Sequence, residues 1–121
     1  MVDQGMDVSV QHLTFLTLVV VRGVVDTNAA HVLESHLDEA IRCCVTRPTR
    51  IMVDLSGVTY LDRDGLDCLL GANRRICAAA GHSGLFEPHN AAVVRLLHQA
   101  VFDGAAWMTP TERIGWRADP R

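Results

Sequence analysis

The run Ile51-Met52-Val53-Asp54-Leu55-Ser56-Gly57-Val58-Thr59-Tyr60-Leu61-Asp62-Arg63-Asp64-Gly65-Leu66 decides the fold. Its first five residues form an apolar stretch of strand length, broken by one aspartate, as a buried strand reads. Ser56-Gly57 punctuates that strand. After Tyr60-Leu61, the polar cluster Asp62-Arg63-Asp64-Gly65 gives way to a stripe at helical spacing: Leu66, Leu69, Leu70, Asn73, Ile76 and Ala80. Gly81 stands where the C′ glycine of that helix belongs. Buried strand, acidic turn and amphipathic helix make one unit of an α/β fold.

The flanks extend the same alternation. Upstream, Val8 and Val10 alternate with polar neighbours and Thr17 to Arg22 is rich in β-branched residues, so both segments read as strands. The connection from Leu13 to Leu16 has no proper turn residue, which leaves the register of this hairpin open. Gly23 leads to Asp26 and Thr27, either of which can cap a helix. In that helix Ala30, Leu33, Leu37, Ala40, Ile41 and Cys44 form one apolar stripe, opposite Glu34, Ser35, Asp38, Glu39 and Arg42. Pro48 ends the pattern.

Downstream, Gly84-Leu85-Phe86 fits a short strand, Pro88 to Asn90 a turn and cap, and Ala91 to Val101 a third helix. The stretch from Met108 to Arg121 has little period and reads as a loose tail. The order β-β-α-β-α-β-α predicts an α/β domain over residues 8–107. Its mixed sheet of four to five strands would have parallel strands joined by helical crossovers and an antiparallel hairpin at one edge.

A chain of 121 residues suits one domain with a sizeable core. All 11 basic residues are arginine, which excludes Schiff-base chemistry, lysine general bases and the phosphate-gripping lysine of a P-loop. A net charge of −3 argues against a nucleic-acid partner, which needs a concentrated basic face. The stretch Leu13 to Val25 falls well short of the ~20 apolar residues a membrane span needs, and it contains Arg22. With Asp3 and Asp7 in place of a basic leader, the expected location is the cytoplasm, without membrane insertion.

The four cysteines do not make a disulfide scaffold or a metal set. Cys43 and Cys44 are adjacent, and Cys68 and Cys77 fall on opposite faces of one helix. They read as buried or incidental thiols, with Cys43 and Cys44 the pair to watch for an intermolecular bridge and a homodimer. The histidines His12, His31, His36, His82, His89 and His98 are scattered, and no cofactor is called for.

The signal lies in the acids. Asp26, Asp54, Asp62 and Asp64 are placed at strand ends or helix starts, where the sites of parallel sheets collect. Helix capping accounts for any one of them, with Asp64 and Asp67 spaced as a box-like pair. Asp62 and Asp64 also stand as paired carboxylates, but no nucleophile or metal set accompanies them, and the chain does not read as an enzyme.

Taken together, Val53-Asp54-Leu55-Ser56-Gly57-Val58-Thr59-Tyr60-Leu61-Asp62-Arg63-Asp64-Gly65-Leu66 resembles the central motif of STAS domains, the fold of bacterial anti-sigma factor antagonists. Gly23-Val24-Val25-Asp26 resembles the family's glycine-x-leucine-aspartate strand end, with valine for leucine. Leu85-Phe86, Val93, Leu96, Leu97 and Phe102-Asp103-Gly104 are similar to its last strand and helix.

The resemblance implies a transcription regulator that captures an anti-sigma factor of the ATPase-type kinase class by protein–protein contact. The surface it implies comprises Asp26, Asp62, Arg63, Asp64, Gly65 and Leu66. In the family, the kinase phosphorylates a serine or threonine just before the helix-starting glycine and so switches binding off, because a phosphate adds about −1.5 to −2 charge to the contact surface. Here Asp64 occupies the acceptor position and Arg63 the residue before it, so this loop has no hydroxyl. Three outcomes are open: a state locked as if phosphorylated, a partner surface adapted to Asp64 with Arg63 neutralising it, or a switch placed elsewhere. The alternative is a small STAS subunit of a larger assembly, such as a lipid-transport or stress-sensing complex.

Overall fold

The computed structural model describes residues 5–44, 46–100 and 105–108. Five strands and three helices follow in the order β1 (Met6–His12), β2 (Thr17–Val25), α1 (Thr27–Arg42), β3 (Arg50–Leu61), α2 (Arg63–Ala78), β4 (His82–Phe86), α3 (Ala91–His98) and β5 (Ala105–Met108). The sheet order is β1-β2-β3-β4-β5. β1 pairs antiparallel with β2, and every later pairing is parallel. Strand order therefore advances in one direction, and right-handed crossovers place α1 and α2 on the same face.

The main core lies on that face. Val19 and Val21 of β2, Ile51, Val53 and Leu55 of β3, and Leu85 of β4 pack against Leu33 and Leu37 of α1 and Leu69 and Ile76 of α2. Alternation sends the intervening residues Leu18, Val20, Met52 and Phe86 into a second, smaller cluster. The apolar stripe of α1 is buried as its period requires, at Ala30, Leu33, Leu37 and Ala40. On α2, Leu66, Leu69, Asn73 and Ile76 are buried and Leu70 is half-buried, whereas Ala80 lies beyond the helix and is exposed.

The structure settles one point the sequence left open and departs from the expectation at four others. The hairpin closes without a turn-forming residue: the Leu13 N–H donates to the Leu16 carbonyl at 2.8 Å around Thr14-Phe15, and Phe15 is left 59% exposed. Ser56-Gly57 does not end the central strand, which continues to Leu61 alongside β2 through register shifts between Val20 and Arg22 and between Gly23 and Val24. A Cβ on Gly57 would lie 2.9 Å from Cγ of Arg22, so the residue marks a close approach between strands.

At the end of α2 the left-handed residue is Ala80, with φ 59°, where Gly81 was expected. Gly81 is needed for space, since a Cβ there would lie 2.7 Å from the Thr49 carbonyl oxygen. α3 closes at His98, earlier than Val101. Finally, Met108 belongs to β5, a strand the sequence pattern did not reveal, and the rest of the expected tail lies outside the described residues.

Candidate functional site

The extension of β3 builds the site. Beyond its pairing with β4, which stops at Asp54 and Phe86, β3 continues beside β2 alone until Val25 and Leu61 stand side by side. Each strand then runs straight into a helix. Asp26 caps α1 by accepting from the Ala29 N–H at 2.9 Å, and Asp62 caps α2 by accepting from the Gly65 N–H at 3.0 Å. The Asp62 N–H in turn donates to the Val25 carbonyl at 3.1 Å, which clamps the two helix starts together.

Two residues outside the expected set complete the arrangement. The Thr27 hydroxyl donates to Oδ2 of Asp62 at 3.1 Å, so the first residue of α1 is tied to the cap of α2. Asn90 caps α3, accepting from Ala92 and Val93, and its Nδ2 donates to the Thr59 carbonyl at 3.3 Å. Three helix starts thus gather at the carboxyl end of the sheet, with Tyr60 51% exposed among them. The Asp26-Thr27 pair had marked a cap, and Asn90 had marked another. Sequence spacing carries no sign of the bonds from Thr27 to Asp62 or from Asn90 to Thr59, because both depend on strand register.

The acids separate by environment. Asp26 and Asp62 are caps, as the plainest reading of a helix-start aspartate requires. Asp64 is exposed in the first turn of α2 and is not the cap. The positive end of the helix dipole favours its charge by about 0.3–1 kcal/mol. The box-like pairing of Asp64 with Asp67 does not form. Asp67 instead faces Arg63, with Nε 3.8 Å from Oδ1 and both side chains well exposed. Arg63 is therefore not placed as the neutralising partner of Asp64.

Asp54 is also removed from the group. It lies inside β3, fully buried, where it accepts from the Ser56 N–H at 2.9 Å. It sits mid-strand because β3 is longer than the apolar run suggested.

Of the six expected contact residues, Asp26, Arg63 and Asp64 are exposed and Asp62 is half-buried, while Gly65 and Leu66 are buried. Gly65 is a packing point: a Cβ there would lie 2.7 Å from Cδ1 of Leu61 and 2.8 Å from Cγ1 of Val25. Leu66 anchors the start of α2 in the main core. Asp26, Arg63 and Asp64 form one exposed face, and the buried Gly65 and Leu66 hold it in place.

A family model described as STAS domain matches residues 7–113. The chain belongs to the STAS domain family. Among solved structures, the anti-sigma factor antagonist SpoIIAA in its unphosphorylated form superimposes with a TM-score of 0.68 at 21% identity, covering 95% of this chain and 100% of that one. An anti-sigma factor antagonist from Mycobacterium paratuberculosis gives 0.76 at 21% identity, over 97% and 96% of the two chains. The murine anion transporter Slc26a9 gives 0.59 at 11% identity, over 97% of this chain but 23% of the transporter. At these identities the likeness speaks for the fold. No curated protein sequence matches the chain.

Among the described residues, no helix is long and apolar enough to cross a membrane, and no three His, Cys, Asp or Glu side chains converge as a metal set.

Proposed function

We propose that this STAS domain is an anti-sigma factor antagonist-like regulator that works by binding and does not catalyse a reaction. Its partner is an anti-sigma factor of the ATPase-type kinase class, and the contact surface is the strand-end face carrying Asp26, Asp62, Arg63 and Asp64. The observation that carries this reading is the fusion of two helix starts through Val25, Thr27 and Asp62, which presents Asp64 on a rigid, exposed first turn. The domain assignment over residues 8–107 and the cytoplasmic location belong to the same reading.

Asp64 alters the phospho-switch. A carboxylate supplies about one negative charge and no tetrahedral phosphate, so it reproduces only part of the modified state. The pairing of Arg63 to Asp67 removes Arg63 as the group that neutralises Asp64, so a partner adapted to Asp64 has to supply the donor for that charge itself.

Incubation with ATP and candidate anti-sigma kinases, followed by peptide mass spectrometry, tests the switch. The peptide spanning residues 62–66 stays unmodified if the reading holds. Stable phosphorylation within it would sink the proposal for this loop. Capture from the source cell identifies the partner, and recovery of a permease with an ATP-binding cassette in place of a kinase-type protein would favour the subunit alternative.

A further inference from the structure

β1 is an edge strand with little of the usual protection, the charge of Asp7 apart. Its pairing with β2 runs without interruption from Met6 opposite Gly23 to His12 opposite Thr17, and no strand among the described residues lies beyond it. Natural edges are commonly blunted by proline, charged side chains (lysine above all), a bulge or short length. β1 has seven residues, no proline, no lysine or arginine and no bulge, whereas β5 at the opposite edge has four residues.

Two hydrogen bonds fix the direction of its backbone groups. At one end the Val24 N–H donates to the Gly5 carbonyl, at 3.5 Å, and at the other the Leu13 N–H donates to the Leu16 carbonyl. Both are odd-numbered positions of the first strand. In an antiparallel ladder the direction alternates, so Asp7, Ser9 and Gln11 turn their peptide groups toward β2. Met6, Val8, Val10 and His12 turn theirs outward, away from the sheet. The side chains of Met6, Val8 and Val10 pack on the rim of the main core and stay half-buried, while those of Asp7, Ser9 and Gln11 are exposed.

We propose that two copies of this chain pair antiparallel through β1, about a two-fold axis at Ser9. That centre uses the whole strand: Met6 faces His12, Val8 faces Val10, Asp7 faces Gln11 and Ser9 faces its own copy. The outward peptide groups then fall in hydrogen-bonded pairs, and the Val8–Val10 pairs extend both cores across the seam. Centres at Val8 or Val10 would leave two residues of the strand unpaired, and a centre at Asp7 would also set two carboxylates directly opposite each other, so Ser9 is the favoured centre. The contact is isologous and closed, joining two five-stranded sheets into one of ten.

Sedimentation equilibrium of the reduced full chain, from about 10 μM to about 1 mM, tests the proposal. A monomer–dimer equilibrium is expected. Ser9→Arg places a guanidinium opposite its copy, and Val10→Pro deletes an outward N–H that β2 does not use. Each weakens dimerisation at least about ten-fold, with an unchanged circular dichroism spectrum.

Should Val10→Pro unfold, Ser9→Cys provides an independent arm, because Ser9 is exposed and outside the core. Diamide accepts two electrons and two protons as the two thiols join, and peptide mapping should find a disulfide between the two copies of position 9. Gln11→Cys, four residues out of register with its own copy, should give none. A chain that stays monomeric throughout, a dimer that Ser9→Arg leaves intact, or equal cross-linking at both positions overturns the proposal. So does a monomer that instead takes an extended peptide of another protein along β1.

Discussion

At Gly65 a missing side chain determines how closely two elements approach. The residue is helical, so its value is space and not backbone freedom: Leu61 and Val25 occupy the volume a Cβ would need. Overpacking of this kind costs about 1–3 kcal/mol. Gly65→Ala should lower the urea midpoint accordingly, because both contacts come from strand ends fixed by the sheet. A variant as stable as the parent would show that α2 can move away without loss. Asp64 is the opposite case, an exposed residue with little structural duty, so its replacement should register in binding more than in folding. The sequence made the identity of Asp64 plain, but not its separation from Asp62. Which of two neighbouring aspartates turns its carboxylate onto the Gly65 N–H is set by the chain's exit from β3.

Among the elements, the helices were the most legible. The stripes of α1 and α2 repeat at three and four over several turns, and burial follows them closely. β3 was less so. Its apolar run stops at Leu55, and its second half, partly exposed and containing Gly57, has no clear strand period. Pairing with β2 keeps that half extended, a tertiary effect absent from local pattern. β5 escaped notice because its four residues have too little length to set a period. The site was therefore only half visible: its caps could be read, but the cross-links among them required the register of β2 against β3. Asn90 shows what such a cross-link contributes. Asn90→Ala removes both the α3 cap and the bond to Thr59, and should cost about 1–2 kcal/mol in chemical denaturation. Asn90→Asp keeps the accepting cap and loses the Nδ2 donor, so it should recover most of that loss. Failure of Asn90→Asp to recover would place the weight on the bond to Thr59.

For the whole molecule, the four free thiols report on packing through pH. Burial of Cys44 opposes its ionisation, but hydrogen bonds from the hydroxyls of Thr46 and Thr17, with the backbone of Arg50 and Thr46, outweigh it and bring the thiol down from 9.0 to about 7. Cys68 is pushed up to about 12, chiefly by burial and then by the charge of Glu34. The sign follows from linkage. A thiol more acidic in the fold contributes stability that is present above pH 9.0 and is lost as pH falls through about 7. A thiol less acidic in the fold contributes stability that is present below 9.0 and is lost as pH rises toward about 12. Urea midpoints should therefore rise between about pH 7 and 9 and fall beyond, with Cys44→Ala removing the rise. An unchanged rise in Cys44→Ala would assign it to another group. The molecule that emerges is a rigid STAS domain whose exposed acids, together with Arg63, face one end of the sheet. Under the proposed function, Asp64 is read directly by the partner. Isothermal titration of the captured anti-sigma factor with the parent chain and with Asp64→Ser tests this most directly. Affinities differing by more than about five-fold, roughly 1 kcal/mol, are expected, and equal affinities would contradict the claim and place this loop outside the contact.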